Sequence, residues 1–279
     1  MILLLLACAG EKGDTGASTD DAPLSLQLPF AATVNGEPFA CGQTFEGLGT
    51  GPDPVELLDL RFYVHSLALL DAAGAATPVA LTADGVWQSE EVALLDFEDG
   101  IGGCATGSPE THTTVTGTAP AGDYVGLAFQ IGVPAALNHL DAATAAPPLN
   151  DTGLWWSWTG GYKFLKIDAR TARGTDFVFH LGATNCEKQD DGSYTCTLDN
   201  EAGVTLSDFD PTQSAVSIDL ARLYAASDLS GQIPDGDMMP GCMSSEGDPE
   251  CRALFAALGL PWEGNPSPGA QSLFSVVAR

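Results

Sequence analysis

Residues 60–70, LRFYVHSLALL, decide the fold. In an extended chain Leu60, Phe62 and Val64 share one face, and Tyr63, His65, Leu67 and Leu69 the other. Apolar residues on both faces suit an inner strand of a sandwich better than an exposed edge. Outward from this stretch, short β runs bounded by turn residues recur at 92–97, 113–118, 124–133, 162–168, 177–181, 194–198 and 215–220. Asn35-Gly36 separates 30–34 from 37–39, and Asp84-Gly85 separates 79–82 from 86–88; both pairs predict hairpin turns. Helical spacing is clear only over 250–258. There Asp248 can cap, Pro249 suits the first helical position, and Gly259 with Pro261 stops the run. Cys251, Leu254, Phe255 and Leu258 would line its buried face. The expected fold is therefore all-β: an antiparallel β-sandwich with long loops and a short C-terminal helix, in one domain over 25–279.

Composition narrows the function. The 279 residues hold 10 Lys+Arg against 37 Asp+Glu, a formal net charge of −27. Nucleic-acid binding rests on basic residues that neutralise phosphates, so no nucleic-acid partner is expected. Attraction to an anionic membrane surface is equally disfavoured. Charged residues make up 17% and hydrophobic residues 44%, so the chain can bury a real core.

Residues 1–7 are apolar and Cys8 follows. Seven residues cannot span a bilayer, which takes about 20 in a helix. Leu5-Leu6-Ala7-Cys8 is similar to the box that ends a bacterial lipoprotein signal, in which the Cys becomes the lipidated first residue. The other reading is a chance apolar start with a buried Cys. The low-complexity stretch 9–24 then serves as a flexible tether. An exported chain, in the periplasm or on the outer membrane or cell surface and held by a lipid anchor, is the expectation. Six other cysteines remain, an even number that argues for disulfides outside the cytosol. Cys186 and Cys196 flank the turn signal Asp190-Asp191-Gly192, and Cys242 and Cys251 flank a short polar segment before the helix. Elimination leaves Cys41 with Cys104. No C-x₂-C pair favours zinc.

Segment 134–158 breaks the strand pattern and carries Asn138, His139, Asn150 and three tryptophans. Long irregular loops in compact domains are more often functional than idle. Of the four histidines, His65 and His180 alternate with apolar neighbours on strands, where a satisfied inward-facing imidazole is the simpler reading and a metal ligand the other. His139 lies in the loop; His112 carries little functional weight. Trp155, Trp156 and Trp158 cannot all be core, because adjacent residues of an extended segment point in opposite directions. Nucleophile-elbow, H-E-x-x-H, P-loop and dinucleotide patterns are absent. Asp96, Glu98 and Asp99 lack a calcium-loop spacing.

Several segments then fall in order: Leu94-Leu95-Asp96-Phe97-Glu98 with Cys104; Ile131-Gly132-Val133-Pro134 with Leu137-Asn138-His139 and Pro148-Leu149-Asn150; and Trp156-Ser157-Trp158 with Gly161-Tyr162-Lys163-Phe164. Phe179-His180-Leu181-Gly182 with Cys186, and Gly241-Cys242-Met243-Ser244 with Cys251, complete the set. Together they resemble the MbnP family of copper-binding proteins, also called the metallo-mystery pair four-Cys proteins, across residues 26–262. The resemblance implies an exported β-sandwich and a dihaem partner of the cytochrome c peroxidase/MauG type that oxidises one Trp to kynurenine. It also implies that the modified protein binds copper. By that resemblance Trp156 and Trp158 are the oxidised-residue candidates, with Trp155 behind them, and His65, His139 and His180 form the ligand pool. The Trp-x-His spacing of related copper scavengers is absent, so ligation by the modified Trp itself is not implied. Met238, Met239 and Met243 are a secondary source of soft ligands, or ordinary gap-filling. The expectation is a copper-binding accessory protein and not an enzyme. The rivals are a metal-free envelope interaction module and a hydrolase built on a carboxylate pair.

Overall fold

The computed structural model describes residues 22–104, 107–157, 159–171, 173–230, 240–264, 266–267 and 269–279. Cys8, Trp158, Met238 and Met239 lie outside the described residues. The strand that contains residues 60–70 runs over Val55–Leu70 and is the spine of the larger sheet. Leu165–Thr171 and Gly126–Ile131 pair along one edge of it. Thr44–Phe45, Val92–Asp96 and Ala76–Pro78 pair along the other. Asp176–Leu181 and Gly241–Cys242 extend this sheet beyond Leu165–Thr171, and Ala202–Ser207 extends it beyond Gly126–Ile131.

The smaller sheet orders Phe274–Ala278, Ser214–Asp219, Leu24–Val34, Thr114–Ala119 and Ala80–Leu81, with Glu37–Pro38 hung on the long first strand. The sheets meet through Phe30 against Phe62 and Phe129 at 6.2 and 5.7 Å, and through Phe274 against the same two rings at 5.9 and 5.5 Å. Burying each such side chain contributes about 1.5–3 kcal/mol. The chain is an all-β sandwich, as expected, with two parallel ladders among the described residues in an otherwise antiparallel arrangement. Gly241 makes the second of these possible: at φ 110°, a Cβ there would lie 2.1 Å from the Val178 carbonyl oxygen.

Disulfides join Cys41–Cys104, Cys186–Cys196 and Cys242–Cys251. The Asn35-Gly36 turn has both residues at positive φ, 52° and 84°, the hairpin geometry its sequence predicts. Asp84-Gly85 does not join two paired strands. The Asp84 carboxylate accepts from the N–H groups of Val86, Trp87 and Gln88 and folds the segment into a loop instead. The helix forms over Cys251–Ala257, with Asp248 accepting from the Glu250 N–H at 2.9 Å. A second short helix, Leu220–Tyr224, is capped by Asp219 and was not foreseen.

One residue alters the spine. Ser66 adopts φ 52° and forms a bulge, so His65 pairs with Gln130 while Ala68 pairs with Ala128. The extra residue reverses the alternation. Leu67 and Leu69 therefore join Val64 in the core, at 3% and 0% exposure, and not Tyr63 and His65 as a regular strand would place them.

Candidate functional site

The face of the larger sheet turned away from the smaller one carries Asp59, Arg61, Tyr63 and His65. Register sets Lys166 beside Arg61, and His180 beside Lys166, on that same face. Unlike the apolar inner face, this one holds a buried charge network. The Asp59 carboxylate accepts from Arg61 Nε at 2.9 Å and from Lys166 Nζ. Arg61 also reaches Asp151 at 2.9 Å, and Lys166 reaches Asp168 at 3.0 Å. Buried ions of this kind persist only when paired.

Segment 134–157 packs over this face. Tyr63 Oη donates to the Pro148 carbonyl at 3.1 Å and Tyr162 Oη to that of Leu149 at 2.5 Å. The Tyr162 N–H donates to Asn138 Oδ1 at 2.9 Å, pinning the residue next to His139.

His180 Nε2 lies 2.8 Å from Asp168 Oδ1. Burial raises the Asp168 pKa, but the His180 hydrogen bond and the Lys166 charge outweigh it and hold this carboxyl down at about 2. Burial lowers the His180 pKa, with Asp168 offsetting part of the effect. A neutral imidazole donating from Nε2 to the carboxylate leaves the Nδ1 lone pair open. That Nδ1 is buried and has no hydrogen-bond partner among the described residues. A ring fixed by a carboxylate through one nitrogen, with the other uncommitted, is how metal-ligating histidines are held.

Two residues on, Gly182 points to the same side as His180, and the Trp156 indole lies against it. A Cβ at 182 would stand 2.5 Å from indole Cζ3 and 2.7 Å from the Tyr162 carbonyl oxygen. Ser244 ties the strand end down, accepting from the Gly182 N–H at 3.1 Å and donating to the His180 carbonyl at 3.0 Å. Trp156 borders a cavity of about 350 Å³ with Gly160, Ala183, Cys186 and Met243.

Ala183 also lines a second cavity of about 220 Å³, with His139, Tyr194, Cys196, Asp199 and Glu201. His139 stacks on Tyr194 at 4.4 Å, and its Nε2 is 3.4 Å from Cys196 Sγ. His65 holds Ser66 Oγ through Nδ1 at 2.9 Å. Its Nε2, buried and without a hydrogen-bond partner among the described residues, stands 3.5 Å from Glu201 Oε2. Glu201 therefore lies between His65 and the cavity of His139.

The structure thus places one histidine, His180, next to the strand end that Trp156 covers, and sets the other two around Glu201. His65 and His180 are four residues and two strands apart, about 16 Å on an ideal sheet. Among the described residues, no cluster of three ligating atoms contains two histidines. His112 donates from Nδ1 to the Leu94 carbonyl at 2.6 Å and stacks on Trp87, a structural role.

A family model for MbnP matches residues 23–244. The chain belongs to the MbnP family. Among solved structures, MbnP from Methylosinus trichosporium is similar to it at 35% identity and a TM-score of 0.79, over 92% of this chain and 99% of that one. A comparison with curated proteins found no match. In this MbnP-family chain, sequence reasoning missed Asp168, Glu201, Ser66 and Gly182. Lys166 and Asp168, charges that alternate with the apolar Leu165, Ile167 and Ala169, were the available signal.

Proposed function

We propose that this MbnP-family chain is an exported copper-binding accessory protein and not an enzyme, lipid-anchored through Cys8. In this reading a dihaem partner of the cytochrome c peroxidase/MauG type oxidises Trp156 or Trp158 to kynurenine, and the protein serves copper acquisition or homeostasis. The observation that carries the reading is the buried, uncommitted Nδ1 of His180, oriented through Asp168 and two residues from the glycine under Trp156. His65 and His139, set around Glu201 and apart from His180, are the other members of the proposed ligand pool. Imidazole suits copper, which outcompetes other divalent first-row metals at nitrogen sites. Asp168 orients the ring, the Tyr63 and Tyr162 hydroxyls hold the covering segment closed, and Gly182 makes room for the indole. Kynurenine would add an aryl amine and a ketone; the oxidising equivalents have to come from the partner, since the chain has no C-x-x-C-H haem site.

Copper titration of His180→Ala, and of the His139→Ala, His180→Ala double variant, tests the ligand assignment. Affinity should fall with the first substitution; undiminished affinity in both removes it. Peptide mass analysis of protein isolated with its native partner tests the modification. The fragment carrying Trp156 and Trp158 should show one carbon lost and one oxygen gained. An unmodified fragment together with no stoichiometric copper would favour the metal-free interaction module.

A further inference from the structure

The ribbon formed by Thr184–Lys188 and Tyr194–Leu198 stands apart from both sheets. Its disulfide joins directly opposed residues, Cys186 and Cys196. Both sulfurs and a ring nitrogen of His139 lie within 4.8 Å of one another. His139 is 57 residues away from Cys196 in sequence and is held by stacking on Tyr194. Val133, Phe164 and Ala183 wall the cavity beside them. Of the three disulfides this one is the most open to a reductant: Cys186 and Cys196 are half-buried, whereas Cys104, Cys242 and Cys251 are fully buried.

We propose that this ribbon is a reduction-gated metal site, in which the two thiolates released from the Cys186–Cys196 disulfide and Nε2 of His139 take one Cu(I) ion. The reductant is a dithiol. It passes two electrons and two protons to the disulfide, giving two thiols, and leaves as its own disulfide. Cu(I) then displaces the two thiol protons and binds both thiolates and the neutral imidazole. Two soft sulfurs and one nitrogen in a largely apolar pocket suit Cu(I). At metal–sulfur distances near 2.3 Å, ligands around a trigonal ion lie about 4 Å apart. Opposed strand residues reach that separation by side-chain rotation, without parting the ribbon. The site draws on His139, which the proposed ligand pool also contains, but not on His180, so it does not depend on copper binding at His180.

The full chain carrying His180→Ala is treated with dithiothreitol, freed of it anaerobically, and titrated with Cu(I) against a chromophoric chelator. Alkylation and peptide mass analysis identify which cysteines have opened. On reduction the chain should gain two free thiols, at 186 and 196, and bind one more Cu(I) than the oxidised chain. A copper–thiolate ultraviolet band should accompany that uptake. His139→Ala should weaken the added ion at least tenfold, and Cys186→Ser with Cys196→Ser should abolish it while circular dichroism stays unchanged. No added copper, an added ion indifferent to His139→Ala, preferential opening of another disulfide, or Zn(II) taken in preference to Cu(I) would each overturn the proposal. Should the double serine variant fail to fold, wild-type and His139→Ala chains, oxidised and reduced, still decide it.

Discussion

The indole of Trp156 occupies the space into which a side chain at Gly182 would project. One glycine therefore sets how near the Trp approaches the strand end that carries His180. Gly182→Ala should push the ring outward or strain the Tyr162 carbonyl, at a cost of about 1–3 kcal/mol. A lowered Tm with a shift in tryptophan emission checks this; a variant as stable as wild type with unchanged emission would mean that the indole rests elsewhere.

Asp168 orients His180 and takes no part in the proposed ligand set. Asp168→Asn should weaken copper binding about 10–100-fold, the usual effect of losing a carboxylate behind a ligating imidazole. Competition titration measures it, with circular dichroism as the folding control. His180 has its own pH signature. Its folded pKa lies below the ordinary 6.5. The unfolded chain therefore gains a proton first as pH falls through about 6.5, and stability should drop in that window. His180→Gln should flatten that part of the profile.

Asp96 behaves in the opposite sense. Burial pushes its carboxyl up to about 7, against the pull of Arg61 and the hydrogen bond from the Glu98 N–H. The unfolded group ionises near 3.9. Its contribution is thus full below about pH 4 and is lost as pH rises towards 7. Asp96→Asn should leave Tm nearly unchanged at pH 4 and stabilise the protein at pH 8 by about 1–4 kcal/mol. Chemical denaturation at the two pH values tests the sign, and destabilisation at pH 8 would contradict it.

Ser66 tolerates its left-handed backbone at a cost of about 1–2 kcal/mol. Ser66→Val adds a β-branched side chain there and should destabilise further by at least about 1 kcal/mol, whereas Ser66→Gly should relieve the strain. Because Ser66 Oγ holds His65 Nδ1, the glycine variant would also free that ring. Thermal unfolding of the pair checks the prediction, and equal Tm values would exclude it.

Most of the sandwich was legible because alternation and turn chemistry act locally. Residues 60–70, 92–97 and 177–181 read as strands, and the Cys186–Cys196 ribbon announced itself through Asp190-Asp191-Gly192. Phe274–Ala278 escaped notice because only half of it is covered, with Val277 40% exposed. Ala202–Ser207 alternates small residues too weakly to stand out. The bulge at Ser66 carries no sequence signal, since its φ depends on how Gly126–Ile131 pairs with the spine. At the site, His180 and Trp156 were each visible, but their proximity depends on Gly182 and on a turn between separate strands. The carboxylate behind His180 was equally hidden, because cross-strand register alone brings Asp168 to it.

The single strand Val55–Leu70 borders five others, and this shapes how the molecule fails. A defect in the outlying Thr184–Lys188 and Tyr194–Leu198 ribbon can stay local, while loss of backbone order around Leu60 or Phe62 deprives strands on both flanks of their template at once. Amide protons there should be the last to exchange, released only by wholesale collapse. Variation is therefore safest at the periphery and most dangerous along this one keel.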